Sequence, residues 1–156
     1  MDNTYLDIYN NLIKLTTNKS LYRGIKNNQD TFSDRLTLFL FHFAFILKVF
    51  KNDENDKKLQ EIYDFNFRQL ELSIREIGYG DQSINKKMKD YLNTFHSIID
   101  KIHFWDNMDH SEKTKIFETF INKSENNDFL SNYFDNYYNI LKNSTLNSYL
   151  KSVGNS

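Results

Sequence analysis

The chain contains no cysteine and no proline, and only four of its 156 residues are glycine. Without cysteine there is no disulfide framework, thiol nucleophile, thiolate zinc site or iron-sulfur cluster. Without proline, and with so little glycine, the chain lacks most of the punctuation that sheets and tight turns require. Sandwiches, barrels and collagen-like repeats are therefore excluded, and an all-α fold is expected. A surplus of either charge is missing too: 20 Lys and Arg stand against 21 Asp and Glu. No net field draws the chain to a polyanion, and nucleic acid is not an expected partner. The longest apolar run, LTLFLFHFAFIL from Leu36 to Leu47, is twelve residues. A membrane span needs about 20, so this run is expected to be a buried central helix. The opening residues, MDNTYLDIYNN, hold neither a basic region nor an uninterrupted apolar stretch, and the expected location is the cytoplasm of a bacterium.

What the chain does have is apolar bulk. Hydrophobic residues make up 39% of it, with 14 Phe and 10 Tyr, enough for one core in a chain that buries about 68–70% of its unfolded surface. One domain over residues 1–156 is expected, with six or seven helices around a central Phe-rich helix. The aromatic content, 16%, is read as more than the helices can all turn inward. Contiguous exposed aromatic surface would mark a binding site. The alternative is that Phe stands in for Leu in an A/T-rich genome, which the 21 asparagines also suggest.

Periodicity places the helices. In the central run, Phe39, Phe41, Phe43 and Phe45 alternate, but Leu36, Leu38, Leu40, Ala44 and Leu47 fill the places between, so the pattern is apolar all round rather than that of a strand. From Asp56 to Ile77, Leu59, Ile62, Tyr63, Phe67, Leu70, Ile74 and Ile77 recur at intervals of three and four. This helix should stop at Gly78, in the left-handed conformation, and the next should start at Asp81 or Ser83, both good N-cap types. A link this short makes the two a packed hairpin. The second helix carries Ile84, Met88, Tyr91, Leu92, Phe95, Ile98, Ile99, Ile102 and Trp105 on one face, and Lys86, Lys87, Lys89, Asp90 and Asn93 on the other. Further helices are expected over Tyr5 to Leu15, around Leu21 to Ile25, over Ser111 to Ile121, and from Asp128 to about Val153 with a break near Asn143.

No arrangement of catalytic side chains stands out. The GYGD stretch, with Gly78 and Gly80, is too short to cradle a phosphate. His96, His103 and His110 fall seven apart, whereas helical metal pairs sit three or four apart, and they read as surface or half-buried residues. His42, inside the apolar run, reads as a hydrogen-bonded core histidine. The carboxylate pairs Asp106 and Asp109, and Glu71 and Glu76, read as solvated faces. Lys86, Lys87 and Lys89, with Arg75 near them, could meet an acidic partner or anionic lipid headgroups, or form an ordinary polar face.

At the hairpin the residues become specific. RLTLFLFHFAFILKVF (Arg35 to Phe50) followed by QEIYDFNFRQLELSIREIGYGDQSINKKMKDYLNTFHSIIDKI (Gln60 to Ile102) resembles the ubiquinol-cytochrome c chaperone family. The central motif is REIGYGDQSINKKMK, Arg75 to Lys89: Arg-Glu, an apolar residue, Gly, any residue, Gly-Asp, then a lysine-rich helix start. Asp30-Thr31 ahead of Arg35 is similar to the family's Asp-Thr before an Arg-led apolar helix. The resemblance covers roughly residues 20 to 125. Three places depart from it: Asp34 where the family has Gly, Asn85 where it often has Pro, and His96-Ser97-Ile98 in place of an aromatic-Gly-Arg triplet.

The resemblance implies an all-helical, non-enzymatic assembly factor for the respiratory cytochrome bc complex, one that binds newly made cytochrome b. In mitochondria the family works with a small partner protein near the ribosome exit. For this chain only cytochrome b biogenesis is carried over, with the protein expected in the cytoplasm, peripheral at the inner face of the cytoplasmic membrane; a small partner protein is left open. Arg35, Arg75, Glu76, Gly78, Gly80, Asp81, Lys86 and Lys87 are the candidate partner-binding residues, and no catalytic residue, cofactor or metal is expected. Within the hairpin, Asp81 is expected to accept from the first amides of its helix and Arg75 to pair with Asp81 or Glu76. Lys86 and Lys87 have no structural duty in this reading. The competing class is a small-ligand-binding or enzymatic helical domain with a pocket near the central apolar helix. A third is a structural subunit of the mature complex.

Overall fold

The apolar run forms the middle of a central helix because its phenylalanines, two residues apart, point in two directions. On an α-helix a step of two turns the side chain by about 200°, so Phe39 and Phe43 share one side and Phe41 and Phe45 the opposite one. In the computed structural model, which describes residues 4–18, 21, 32–121 and 127–154, each pair finds its own aromatic partners. Phe39 meets the Tyr9 ring edge-on at 5.7 Å, and Phe43 stacks on Phe95 at 5.1 Å. On the other side Phe41 packs against Phe117 at 4.9 Å, while Phe45 stacks on Phe134 and meets Trp105 edge-on. All four phenylalanines are buried, and each contributes about 1.5–3 kcal/mol relative to exposure.

Seven α-helices are present among the described residues, with no strand: α1 (Thr4–Thr16), α2 (Phe32–Phe50), α3 (Asp56–Ile77), α4 (Asp81–Ile102), α5 (His110–Phe120), α6 (Asn127–Lys142) and α7 (Leu146–Gly154). The all-α expectation holds. Helix α2 is the hub, packing against α1, α4 and α6. It extends past the apolar run at both ends, because Phe50 still has a core to enter and is buried. The expected bounds of α3 match the structure at both ends. The helix expected around Leu21 to Ile25 and the Asp30-Thr31 pair lie outside the described residues, apart from Leu21, which is buried.

Two expectations are corrected. Trp105 does not continue α4; it lies in a 3₁₀ turn, Trp105–Asn107, where its ring enters the core and its indole N–H donates to Asp135 at 2.8 Å. The aromatic surplus is also inside: of the described aromatic residues, Tyr79 and Phe104 are the large ones left exposed. The six other helices, packed together with α2, offer enough inward-facing positions to take the rest.

The helix ends follow local chemistry. Asp109 and Glu112 form a reciprocal capping box at the start of α5, which gives Asp109 a structural role. The break near Asn143 is real: Thr145 and Ser148 exchange side-chain and backbone hydrogen bonds at 3.0 and 3.1 Å, which starts α7 afresh after α6.

His42 is the core histidine the sequence suggested. It is wholly buried, with Nδ1 2.7 Å from the Leu38 carbonyl and Nε2 2.6 Å from the Tyr133 hydroxyl. The Leu38 carbonyl can only accept, so Nδ1 carries the proton and Tyr133 donates to Nε2. Burial pushes its pKa down to about 4 against the small opposing effect of the Leu38 bond, so the ring is neutral at pH 7.

Candidate functional site at the α3–α4 hairpin

Helix α3 ends because Gly78 adopts φ 103°, a left-handed conformation that costs little only for glycine, and its N–H closes the turn onto the Arg75 carbonyl at 3.0 Å. Gly80 then turns the chain back in ordinary extended geometry, φ −74° and ψ 164°. It is Gly80, not Asp81 or Ser83, that caps α4. No side chain caps the first amides, and Asp81 is already helical. Asp81 instead accepts from Arg75, 2.8 Å away across the turn. Arg75 also reaches Glu71, one turn back, at 3.3 Å. Hydrogen bonds to Asp81 and Glu71 push the Arg75 pKa still higher. Glu76 takes no part: it is exposed, without an ion pair or hydrogen bond among the described residues.

The lysines divide. Lys86 and Lys89 are exposed, but Lys87 is half-buried and its ammonium lies 4.6 Å from the centre of the Tyr79 ring. Lys87 therefore has a structural duty that the sequence did not reveal, holding the one aromatic of the turn by a cation–π contact. Both Lys86 and Lys87 also lie beyond the first turn of α4, where the helix dipole has little hold on them. The turn exposes apolar surface as well. Ile77, expected in the stripe of α3, is 54% exposed and Tyr79 is 42% exposed, since the helix face they continue has run past its neighbours. Sequence reasoning missed both, although a tyrosine between two glycines at a helix boundary has no helix to bury it.

Arg35 belongs to the same end of the molecule. With Leu36 and Phe39 of α2 it lines an open cleft of about 310 Å³ whose other walls are Ile13 and Thr16 of α1 and Leu70 and Ser73 of α3. Ser73 is one turn short of Gly78. Helix α4 runs beside α2 in the same direction, since Phe43 stacks on Phe95 and Lys48 donates to the His103 carbonyl at 2.8 Å. The candidate residues thus gather at one end of the α2–α3–α4 unit: Arg35 in the cleft, and Arg75, Asp81, Lys86 and Lys87 around the turn.

The remaining polar residues hold the scaffold. Asp106 accepts from the Tyr138 hydroxyl at 2.7 Å and lies near Lys48 and Lys142. Partial burial would raise its pKa, but these partners outweigh it and hold the carboxyl below its usual value. His110 pairs with Asp128 at 2.7 Å, and His96 and His103 are exposed. No group of three His, Asp or Glu side chains placed to hold a metal occurs among the described residues. None of their helices is long and apolar enough to cross a membrane.

A comparison with protein families matches residues 26–102 to the ubiquinol-cytochrome C chaperone family. The matched stretch runs through α2, α3 and α4 and includes the whole hairpin, a narrower span than the sequence motifs suggested. Over this stretch, just under half of its length, the chain is similar to the ubiquinol-cytochrome C chaperone family. No curated protein and no solved structure matches the chain.

Proposed function

We propose that this protein promotes biogenesis of the respiratory cytochrome bc complex by binding newly made cytochrome b, and that it acts by binding and not by catalysis. The family match across α2–α4 carries this reading. The geometry supports it at the hairpin, where Ile77 and Tyr79 are exposed in the same stretch of chain as the exposed charged residues Arg75, Glu76, Lys86 and Lys89. Such a surface suits a client segment that leaves a membrane-destined chain partly apolar and partly wet. Arg35, Arg75, Glu76, Gly78, Gly80, Asp81, Lys86 and Lys87 remain the proposed contact set, with Ile77 and Tyr79 added. Peripheral association with the cytoplasmic membrane is part of the proposal, through the same lysines.

A pocket protein acting on a small ligand is the competing class. His42, which motivated it, has both ring nitrogens engaged inside the core, and the cleft beside α2 has exposed Ile13 on its rim, which favours a surface groove over a closed site. The test of the proposal is deletion of the gene followed by measurement of assembled cytochrome bc complex. Loss of the complex is expected; a normal amount in the deletion strain would overturn the reading. Copurification with the active, mature complex would point instead to a resident subunit.

A further inference from the structure

We propose that α1 is a displaceable occupant of the groove between α2 and α3, and that this groove accepts in its place an apolar helix of a client chain bearing one inward polar side chain. The inference rests on the chaperone reading and names the kind of segment such a site would take.

The first observation is a misfit under α1. Asn66 of α3 is fully buried, and neither its amide nitrogen nor its amide oxygen has a hydrogen-bond partner. A buried amide left unanswered is costly, so its surroundings are not optimised for it. The helical period puts Asn66 on the same face as Leu70 and Ser73, the face that α1 approaches. Tyr5 touches Phe65 and donates to Glu61, whereas Tyr9 lies 3.4 Å from Ser73. Helix α1 therefore runs alongside α3 in the same direction, and Ile8 lies between these two tyrosines along α1 as Asn66 lies between Phe65 and Ser73 along α3. Ile8 is also fully buried and has nothing to offer an amide.

The second observation is incomplete filling. The cleft of about 310 Å³ lies between the C-terminal half of α1 and the walls of α2 and α3, so α1 does not close the groove it occupies. The third is placement: α1 lies wholly outside the family-matched stretch, while both groove walls lie inside it. The groove thus already holds one helix, which fixes the occupant's shape. The unanswered amide fixes its chemistry: Ser, Thr, Asn or another hydrogen-bonding side chain at one inward position among apolar ones.

The test uses the full chain and two fluorescent synthetic peptides, TYLDIYNNLIKLT with the α1 sequence and the same peptide with Ile8→Asn, plus a scrambled control. The Ile8→Asn peptide is expected to bind at least tenfold more tightly than the unaltered one, and the scrambled peptide not to bind. In the Asn66→Leu variant that preference should vanish or reverse. Hydrogen exchange gives a readout independent of the peptides. In the unaltered protein α1 amides should exchange through an opening that leaves α2 and α4 protected, and Asn66→Leu should slow that opening at least tenfold. If α1 exchanges only together with α2 and α4, or if both peptides bind the two proteins equally, the proposal is overturned. These readouts do not involve the cytochrome bc complex. Their success beside a normal complex in the deletion strain would leave the groove standing and remove cytochrome b as its client.

Discussion

Arg75 reaches across the α3–α4 turn to Asp81 at 2.8 Å, and this ion pair, not a helix cap, is what the Asp81 carboxylate serves. Both groups are exposed, so water competes for each and salt screens the pair. Asp81→Ala should lower the melting temperature only slightly. Arg75→Ala should do slightly more, since Glu71 also loses its partner. The double variant should show little loss beyond Arg75→Ala, and the whole effect should shrink in high salt. A large, salt-independent loss from Asp81→Ala would show that the carboxylate caps α4 after all.

Gly78 carries more of the local stability than its charged neighbours. Nothing crowds a Cβ at this position, but the left-handed backbone itself opposes one. Gly78→Ala should cost about 1–2 kcal/mol in urea unfolding. Gly80→Ala, at φ −74° and equally open, should cost far less. Equal losses at the two sites would contradict the conformational argument.

The two lysines of the proposed contact set separate by what they touch. Lys87→Glu removes the cation from the Tyr79 ring and should cost about 0.5–1 kcal/mol. Lys86→Glu changes an exposed side chain and should leave unfolding unchanged. The single charge reversal at Lys86 is thus the cleaner test of binding. If it weakens association with cytochrome b or with anionic vesicles at physiological salt, the basic face is functional; intact association would make it ordinary solvated surface.

His42 sets a pH limit on the fold. Its pKa falls from the ordinary 6.5 to about 4 on burial, so the unfolded chain binds the proton more readily than the folded one. Stability from this site is fully present above pH 6.5 and is lost as pH falls toward 4, amounting to roughly 3 kcal/mol at the lower end. Urea titrations from pH 7.5 to 4 should show this decline. In His42→Leu the part of the slope due to this residue should vanish, at a fixed cost from the partners left at Leu38 and Tyr133.

Much of this structure was legible in the residues. The intervals of three and four in α3, the glycine after Ile77 and the polar KNST stretch before Leu146 mark helix faces and ends by local chemistry alone. What escaped depends on tertiary neighbours. Period places Lys87 on the polar face of α4 but cannot show that Tyr79 folds back under it. Cap preference favours Asp81, yet Gly80 takes the extended conformation first and frees that carboxylate for Arg75. An asparagine at position 66 reads as one more product of a biased composition, and only the packed structure reveals that it is sealed between helices. Arg35 was singled out by a motif, and its cleft exists only because α1 and α3 come together beside it.

The measurement that bears most directly on the account is photo-cross-linking in growing cells, with a photoreactive amino acid at position 79, where Tyr79 is exposed on the hairpin turn. The expected product is a covalent adduct with newly made cytochrome b that fades as the cytochrome bc complex matures. Cells that assemble the complex normally, with the probe-bearing protein as their sole copy and no cytochrome b adduct, would contradict the assignment of this hairpin to the client.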